Sequence, residues 1–406
     1  MMKKVTIIYR TIPQYRIEFY NQLKIFLNER NIRLQLIYGN NGFCGRNDSV
    51  DIEWATYIEN KSVSIGPLTL IWQPNLHLIK DSDLVIVEQA NMLLINYLLI
   101  LKRRLFNKKF AFWGHGQDFQ APKDSLLNKF KMTYINQSSW WFPYTEGVKK
   151  FLIEKGVDDD KITVVQNAID TKTLRAQYLS FSDEEINECK AELGIKKGEK
   201  VLIYCGALSK DKNLPFIFES AKRLGTLTST KFKLLILGNG PKRKMVEDFA
   251  QQSDYVIYVG PKFGLEKSKY FRISDILIMP GAMGLAVLDA FTFETPIVTI
   301  EYPYHGPEIE YIRNYENGII AKDDVDDFNS KVVELMENEN LYNLLKANGL
   351  DSINTLNIEN MVSNFGNGII DCLNKPTRQN ENSNLLVSGW SSIRSAIKRI
   401  YSSFSN

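Results

Sequence analysis

The chain has 406 residues, of which 44% are hydrophobic and 24% are charged, and its formal net charge is +3. This composition is typical of a water-soluble globular protein, and the length allows two domains. A net charge this small does not indicate nucleic-acid binding, so we expect no nucleic-acid partner.

The cysteines and histidines argue against disulfide and zinc chemistry. No two of the four cysteines form a Cys-x-x-Cys pair, which indicates free thiols in a reducing compartment. The three histidines are far apart in sequence, so we expect no zinc site. These residues are Cys44, Cys189, Cys205 and Cys372, and His77, His115 and His305.

The apolar segments are short. The first ten residues, MMKKVTIIYR, have too small an apolar core for a signal peptide. The most apolar window elsewhere, 92–101, is ten residues long and is interrupted by Asn96. A membrane-spanning helix needs about 20 apolar residues. We therefore expect a cytoplasmic protein, either free or resting on the inner face of the cell membrane.

The first part of the chain alternates between strands and helices. Apolar runs at 5–9, 32–38, 84–87 and 110–113 are typical of β-strands. A helix is predicted over 17–27, because Phe19, Leu23 and Leu27 are spaced for one helical face. The loop at 13–16 follows the first strand, and in a doubly wound sheet ligands gather at such loops.

A second helix is predicted over 92–106, and the end of this segment is basic. It carries Lys102, Arg103, Arg104, Lys108 and Lys109. Two explanations are open. Cations are favoured at the C-terminal end of a solvated helix. Apolar bulk beside basic charge is also typical of a helix that lies on anionic lipid.

His115 stands between Gly114 and Gly116, directly after the predicted strand at 110–113. A histidine at the carboxyl end of such a strand is exposed to whatever binds there. A histidine in a tight turn can also be structural.

A helix is predicted at 146–154, and Gly156 ends it. Ser182 and the three acidic residues after it are typical of a helix start. Further strands are predicted at 201–204 and 255–260.

The stretch 274–308 is the most informative. The apolar run 276–279 predicts a buried parallel strand, and Gly281 and Gly284 follow it. A helix over 285–291 and a strand over 297–300 come next. A strand, glycine loop and helix can direct N–H groups at a phosphate. Many such turns bind nothing, so this signal alone leaves phosphate binding open.

The C-terminal segment has two parts. Residues 374–388 are rich in Asn and Ser and are predicted to be a linker. The apolar residues after it fall on one helical face: Trp390, Ile393, Ile397, Ile400 and Phe404. This amphipathic helix is expected either to pack on the N-terminal domain or to lie on a membrane surface.

The stretch 274–308 resembles the donor-binding segment of the family-4 retaining glycosyltransferases. Asp289 fits the second of two carboxylates that seven residues separate in the family, although the family usually has Glu there. Gly281 stands where the first carboxylate is expected, and Glu294 where a small residue is usual. The Pro-Gly-x-x-Gly-Leu run and the downstream His-Gly-Pro-Glu resemble a subgroup associated with bacterial surface polysaccharides.

The resemblance implies an α/β fold of the GT-B type, in which two doubly wound, Rossmann-like domains face a cleft. The acceptor-binding domain would be 1–170 and the interdomain connection 171–199. The nucleotide-sugar-binding domain would be 200–370, and residues 371–406 would form the linker and the amphipathic helix.

The resemblance also implies site residues. Lys212 fits the lysine that holds the donor diphosphate, Ala207 replaces the family's arginine, and Lys210 is free to compensate. Asp289 would accept hydrogen bonds from ribose hydroxyls. The implied donor-binding set is Gly206, Lys210, Lys212, Asn213, Gly238, Gly240, Gly281, Gly284, Leu285 and Asp289. The implied acceptor side is Tyr15, Arg16 and His115, and the implied catalytic residues are His115 and Lys212.

The implied reaction is transfer of a hexose from a nucleotide-sugar to a sugar or lipid-linked saccharide, with retention of the anomeric configuration. No metal and no cofactor beyond the nucleotide-sugar substrate is expected. Gly281 offers no carboxylate for a double displacement, which favours attack on the leaving-group face. Two alternatives stay open: a GT-B epimerase of the UDP-N-acetylglucosamine 2-epimerase type, and a non-catalytic glycosyltransferase-like subunit.

Overall fold

The computed structural model describes residues 2–39, 52–65, 68–117 and 125–376. Cys44 and the predicted helix around Trp390 lie outside the described residues, as does most of the predicted linker.

The first half of the described chain is built on a parallel sheet. Its strands are β1 (Lys3–Tyr9), β2 (Ile32–Tyr38), β3 (Thr56–Tyr57), β4 (Lys61–Ile65), β5 (Leu68–Trp72), β6 (Leu84–Glu88), β7 (Lys109–Gly114) and β8 (Trp140–Pro143). Its helices are α1 (Ile17–Asn28), α2 (Leu94–Phe106), α3 (Leu126–Met132) and α4 (Glu146–Glu154). Six strands form a parallel sheet in the order β3-β2-β1-β6-β7-β8, and β4 pairs with β5 as an antiparallel hairpin.

A connection and a second parallel sheet follow. The connection contains α5 (Thr171–Leu179) and α6 (Asp183–Glu192). The strands are β9 (Lys200–Cys205), β10 (Phe232–Leu237), β11 (Val256–Gly260), β12 (Ile276–Ile278), β13 (Ile297–Ile300) and β14 (Ile319–Ala321). They lie in the order β11-β10-β9-β12-β13-β14, all parallel. The helices are α7 (Leu214–Leu227), α8 (Arg243–Gln251), α9 (Gly264–Arg272), α10 (Ala286–Thr292), α11 (Val325–Glu337), α12 (Glu339–Ser352) and α13 (Ile358–Asn374).

Burial on both faces explains why the central strands are nearly uninterrupted apolar runs. Ile7 and Leu84 in the first sheet and Ile203 and Leu277 in the second are fully buried. Parallel sheets are covered by helices on both sides, so inward and outward residues are both apolar. The predicted strands at 32–38 and 297–300 have the observed bounds.

Helix α13 leaves the second half of the chain and packs against α1 of the first. Phe365 stacks on Phe142 of β8 at a ring-centroid distance of 4.4 Å and contacts Trp113 at 4.9 Å. Lys109 Nζ donates to the carbonyl oxygens of Cys372 and Leu373 at 2.8 Å, where a cation is favoured by the helix dipole. The core of the first sheet is therefore completed by a late segment.

Each sheet has one point where the strand order reverses, between β1 and β6 and between β9 and β12. In open parallel sheets, ligands bind in the crevice at the carboxyl ends of the strands on either side of such a point. In the second sheet, the loops that border this crevice are 206–213 and 279–285, which contain most of the predicted donor residues.

Candidate active site

The loops after β9 and β12 interlock closely at the reversal point of the second sheet. Ala282 N donates to the carbonyl of Asp211 at 2.9 Å. A Cβ built on Gly281 would lie 2.2 Å from the carbonyl carbon of Lys212, a distance that no side chain can adopt. The backbone of Lys212 thus occupies the space into which a side chain at 281 would project. This explains in physical terms why the carboxylate expected there is absent.

Lys212 extends over the glycine loop. Its Nζ donates to the carbonyl of Ala282 at 2.5 Å and lies 4.0 Å from an Asp211 carboxylate oxygen. The side chain is 17% exposed, so its ammonium is held at the crevice rather than in bulk water. Lys210 is exposed, and Asn213 adopts a left-handed backbone (φ 51°) where α7 begins.

His305 fixes the glycine loop from the other side. Its Nδ1 accepts from Met283 N at 2.9 Å, and its Nε2–H donates to the Ile300 carbonyl at 2.8 Å. Gly306 N donates to the Met283 carbonyl at 2.9 Å. Burial lowers the pKa of His305, which keeps the ring neutral, as this arrangement requires.

Two of the four amides at 281–284 already have acceptors within the protein. The amides of Ala282 and Met283 donate within the protein, to Asp211 and His305. For the Gly284 amide, no protein acceptor occurs among the described residues. Leu285 and Gly284 stand at the start of α10, at its positive end.

The predicted glycines at 206, 238 and 240 bring two loops together. Gly238 has φ +149°, and a Cβ there would lie 1.9 Å from the Gly206 carbonyl oxygen. Gly240 has φ +157°, and a Cβ there would lie 2.6 Å from the Leu208 carbonyl oxygen. These glycines therefore shape the wall of the crevice by allowing backbone contact.

Asp289 is paired with a lysine that the sequence analysis did not identify. Lys267 Nζ of α9 donates to Asp289 Oδ1 at 2.6 Å, and the two side chains are 17% and 13% exposed. A lone lysine in an amphipathic helix carries no sequence signal of such a pairing. Cys205, at the end of β9, lies beside the pair, and burial together with the Asp289 charge raises its thiol pKa to about 12.

Arg16 of the predicted acceptor side is almost fully buried, at 1% exposure. Its guanidinium lies 5.2 Å from the ring centroids of Tyr15 and Trp113. It also donates to Asn167 Oδ1, which lies in the connection between the two sheets. Arg16 is thus held by aromatic faces and by an amide, which suits a planar cation.

Two carboxylates after β13 tie the second sheet to the first. Asn167 Nδ2 donates to Glu308, and Asn167 N donates to Tyr311 Oη at 2.8 Å. Glu310 accepts from Thr145 Oγ1 and from Gly147 N, both at 2.9 Å, at the N-terminus of α4. These contacts continue the network from Arg16 to the loop next to His305. The His-Gly-Pro-Glu run itself carries no sequence signal for this role.

His115 lies at the boundary between the two halves. Gly114 (φ +140°) and Gly116 (φ +70°) form the turn that presents it, and its ring lies 4.8 Å from the Tyr144 ring. Burial, with the nearby charges of Lys131 and Arg16, lowers the pKa of His115 to about 3, so the ring is neutral. A cavity of about 150 Å³ is lined by His115, Gln117, Gly147, Val148, Phe151 and Glu310.

This architecture is the GT-B fold, the two-domain fold of a large class of glycosyltransferases. Solved structures of that class cover nearly the whole chain. A glycosyltransferase from Rickettsia africae superposes with a TM-score of 0.68 at 15% identity, over 92% of this chain and 99% of that one. HepE of Anabaena, in complex with UDP, superposes with a TM-score of 0.67 at 13% identity, over 91% of this chain and 100% of that one.

The similarity in sequence is concentrated in the second domain. Residues 185–351 match the family model described as "Glycosyl transferases group 1". An uncharacterized glycosyltransferase of Methanocaldococcus jannaschii is 25% identical over 40% of this chain and 41% of its own length. An alpha-monoglucosyldiacylglycerol synthase of Streptococcus pneumoniae is 26% identical over 36% of this chain and 35% of its own length. The matches thus span less than half the length of these relatives.

Within the part of the chain that the structure describes, no helix combines the length and the apolar character that crossing a membrane would require.

Proposed function

We propose that this protein is a retaining hexosyltransferase. It transfers a hexose from a nucleotide-sugar to a saccharide or lipid-linked saccharide acceptor in bacterial glycan synthesis. The observation that carries the proposal is the position of Lys212 over the glycine loop, at the strand-order reversal of a domain that matches the group 1 glycosyl transferases. HepE, solved with UDP and with UDP-glucose, supports a nucleotide-sugar as the donor.

We expect the donor diphosphate to bind against the loops 206–213 and 279–285, at the strand-order reversal of the second sheet. Negative charge builds up on the diphosphate as it departs, and a fixed cation stabilises that charge most in a site that excludes water. The Lys212 ammonium supplies the cation, and the Gly284 amide at the start of α10 supplies an N–H donor. On binding, Lys212 exchanges the Ala282 carbonyl for phosphate oxygens.

Retention is best explained by attack on the leaving-group face. A double displacement needs a carboxylate beneath the sugar. At position 281 the Lys212 backbone fills the space that such a side chain would need. In the front-face route the bond from the acceptor oxygen to the anomeric carbon forms as the bond to the phosphate oxygen breaks. The departing phosphate takes the acceptor's proton.

The acceptor is expected in the cavity that His115 and Glu310 line between the domains. The neutral His115 ring can hydrogen-bond a sugar hydroxyl and orient it without acting as the base. Glu310 is fixed by Thr145 and Gly147, so its remaining lone pairs have a defined direction. Both groups suit an acceptor rich in hydroxyls.

The N-terminal domain carries a surface suited to anionic lipid, which we name the α2–α3 patch. Its exposed apolar side chains are Leu105 and Phe106 at the end of α2 and Leu127 and Phe130 on α3. The rings of Phe130 and Tyr97 lie 6.1 Å apart, so α3 packs beside the first turn of α2. Lys102 and Arg104 on α2, Lys108 just after it and Lys129 on α3 add positive charge to these two helices. A protein bound to the membrane through this surface would have access to a lipid-linked acceptor.

A panel of nucleotide-hexoses tests the proposal. A donor present at 100 times its Kd should stabilise the protein by about 2.7 kcal/mol. With the donor identified, transfer to saccharide and glycolipid acceptors is followed by NMR of the anomeric proton. An α-linked product from an α-linked donor supports the proposal, and a β-linked product overturns retention. Epimerised donor sugar would reveal an epimerase, and stabilisation without any turnover would reveal a non-catalytic subunit.

A further inference from the structure

Lys267 and Asp289 form the most buried ion pair that borders the donor crevice among the described residues. Lys267 Nζ lies 2.6 Å from Asp289 Oδ1, and both side chains are more than four-fifths buried. Asp289 lies one turn into α10, which starts at the glycine loop. Cys205, the residue before Gly206, is the third polar group of this cluster.

The pair is the charged part of the cluster. Burial alone would lower the pKa of Lys267, but the neighbouring Asp289 and Cys205 more than offset this and raise it. The Cys205 thiol is neutral, because burial and the Asp289 carboxylate raise its pKa to about 12. The ammonium of Lys267 and the carboxylate of Asp289 form an ion pair at 2.6 Å, in which the opposite charges cancel.

Charge cancellation matters beside a diphosphate. A bare carboxylate in a water-poor crevice would repel the negative charge of a nucleoside diphosphate, since Coulomb interactions are strong where water is excluded. The ammonium of Lys267 removes that repulsion. It engages Oδ1, and no other side-chain or backbone donor from the described residues reaches Asp289. Oδ2 therefore retains lone pairs for a ligand.

We propose that Lys267 is a positioning residue of the donor site, which holds the Asp289 carboxylate in place and neutralises its charge so that Oδ2 accepts hydrogen bonds from the ribose of the donor nucleotide. This inference rests on the proposed function and deepens it. Lys267 acts through Asp289 and does not touch the nucleotide.

Calorimetric titration with UDP, GDP and ADP tests the inference on the full-length protein. The variants are Lys267→Met, Lys267→Arg, Asp289→Asn and the double variant Lys267→Met/Asp289→Asn. Lys267→Met should weaken the best nucleotide at least about tenfold, the scale of one lost hydrogen bond to a charged group. Lys267→Arg should keep most of the affinity, because a guanidinium can also hold the carboxylate.

The double variant separates positioning from direct contact. If Lys267 acts through Asp289, the losses of affinity in the two single variants are not additive, and the double variant binds at least tenfold more tightly than the product of the two losses predicts. If Lys267→Met alone fails to fold, Lys267→Arg/Asp289→Asn takes its place in the comparison, because the guanidinium then has no carboxylate to hold and the benefit of Lys267→Arg over Lys267→Met should disappear in the Asp289→Asn background. Additive losses, or an equal benefit of the guanidinium without the carboxylate, would overturn the inference.

Lys244→Met is the matched control, because Lys244 forms an exposed ion pair with Asp248 on α8 at 2.6 Å. It should bind as the parent does. A parent protein that binds none of the three nucleotides overturns the proposed function itself. A parent that binds one of them, with Lys267→Met binding equally well, overturns only the role of Lys267.

Discussion

Among single residues, Lys212 is the clearest test of the donor site. Its contribution should grow as charge develops on the leaving diphosphate, so Lys212→Ala should lower kcat by about 10²-fold. Steady-state transfer with the identified donor measures this, with Lys210→Ala as the matched comparison because Lys210 is exposed in the same loop. If Lys212→Ala keeps its kcat and Lys210→Ala loses activity, Lys210 and not Lys212 is the lysine that binds the diphosphate.

His115 should affect the reaction without affecting the nucleotide. His115 belongs to the first domain and lines the cavity between the domains, whereas the proposed nucleotide site is on the second domain. His115→Ala should reduce kcat in a graded way and keep the nucleotide Kd, and His115→Asn should retain part of the rate through its amide. Calorimetry and transfer assays on the same preparations check both parts. Loss of nucleotide binding, or transfer at the parental rate, would contradict the cavity assignment.

Gly281 shows why restoring the family's carboxylate should fail. Gly281→Asp forces a Cβ to within 2.2 Å of the Lys212 backbone, and overpacking of this kind costs about 1–3 kcal/mol. The melting temperature should fall, and no gain in transfer should accompany it. Gly284→Ala is the control for stability, since a Cβ there meets no atom within 4 Å. An equally stable Gly281→Asp would show that the two loops can separate without cost.

Many of the helices and strands could be located from short sequence patterns. Strands β2, β9 and β13 were predicted from apolar runs, and helices α4 and α6 from their capping residues, so each signal lies within a few residues. The β4–β5 hairpin was not predicted, because Lys61, Ser62 and Ser64 of β4 are exposed and β4 has no apolar run like those of the central strands.

The site was predictable only where its residues lie in a recognisable run. Lys212, Gly281 and Asp289 belong to such runs. Lys267 and Glu310 owe their positions to contacts with residues 22 and 163 or more places away in the chain, and no local pattern encodes those contacts. The resemblance also could not explain why glycine stands at 281. The Lys212 backbone on the neighbouring loop leaves no room for a side chain there.

The α2–α3 patch leads to a prediction for these two helices. Phe106 and Phe130 are 67% and 49% exposed, and the same two helices carry basic residues. Binding to vesicles with an anionic lipid such as phosphatidylglycerol should weaken with salt, since the Debye length falls from about 10 Å at 0.1 M to about 3 Å at 1 M.

Sedimentation of vesicles across a salt series measures this binding. Phe106→Ser and Phe130→Ser should each weaken it, whereas Phe263→Ser, at a 60% exposed position on the second domain, should not. Absence of binding to anionic vesicles at low salt would leave the basic end of α2 as a solvated helix terminus.

For the whole molecule, the contacts of Glu310 should hold the two domains together. Glu310→Ala removes two hydrogen bonds to a carboxylate, at about 1.5–3 kcal/mol each, from the boundary between them. We expect a larger radius of gyration in small-angle X-ray scattering. Glu316→Ala is the control, because Glu316 forms an exposed ion pair with Arg313 at 2.6 Å. An unchanged scattering curve for Glu310→Ala would show that the domains stay together without this contact.

The return of α13 to the first sheet also sets the order in which the protein can fold during synthesis. The ring of Phe365 covers Phe142 and Trp113, and Lys109 binds the carbonyls that end the same helix. A ribosome therefore exposes the strands of the first sheet long before the residues that cover them emerge. The first domain is expected to stay incomplete until the second has been translated, and a fragment of residues 1–170 expressed alone should aggregate through that uncovered aromatic surface.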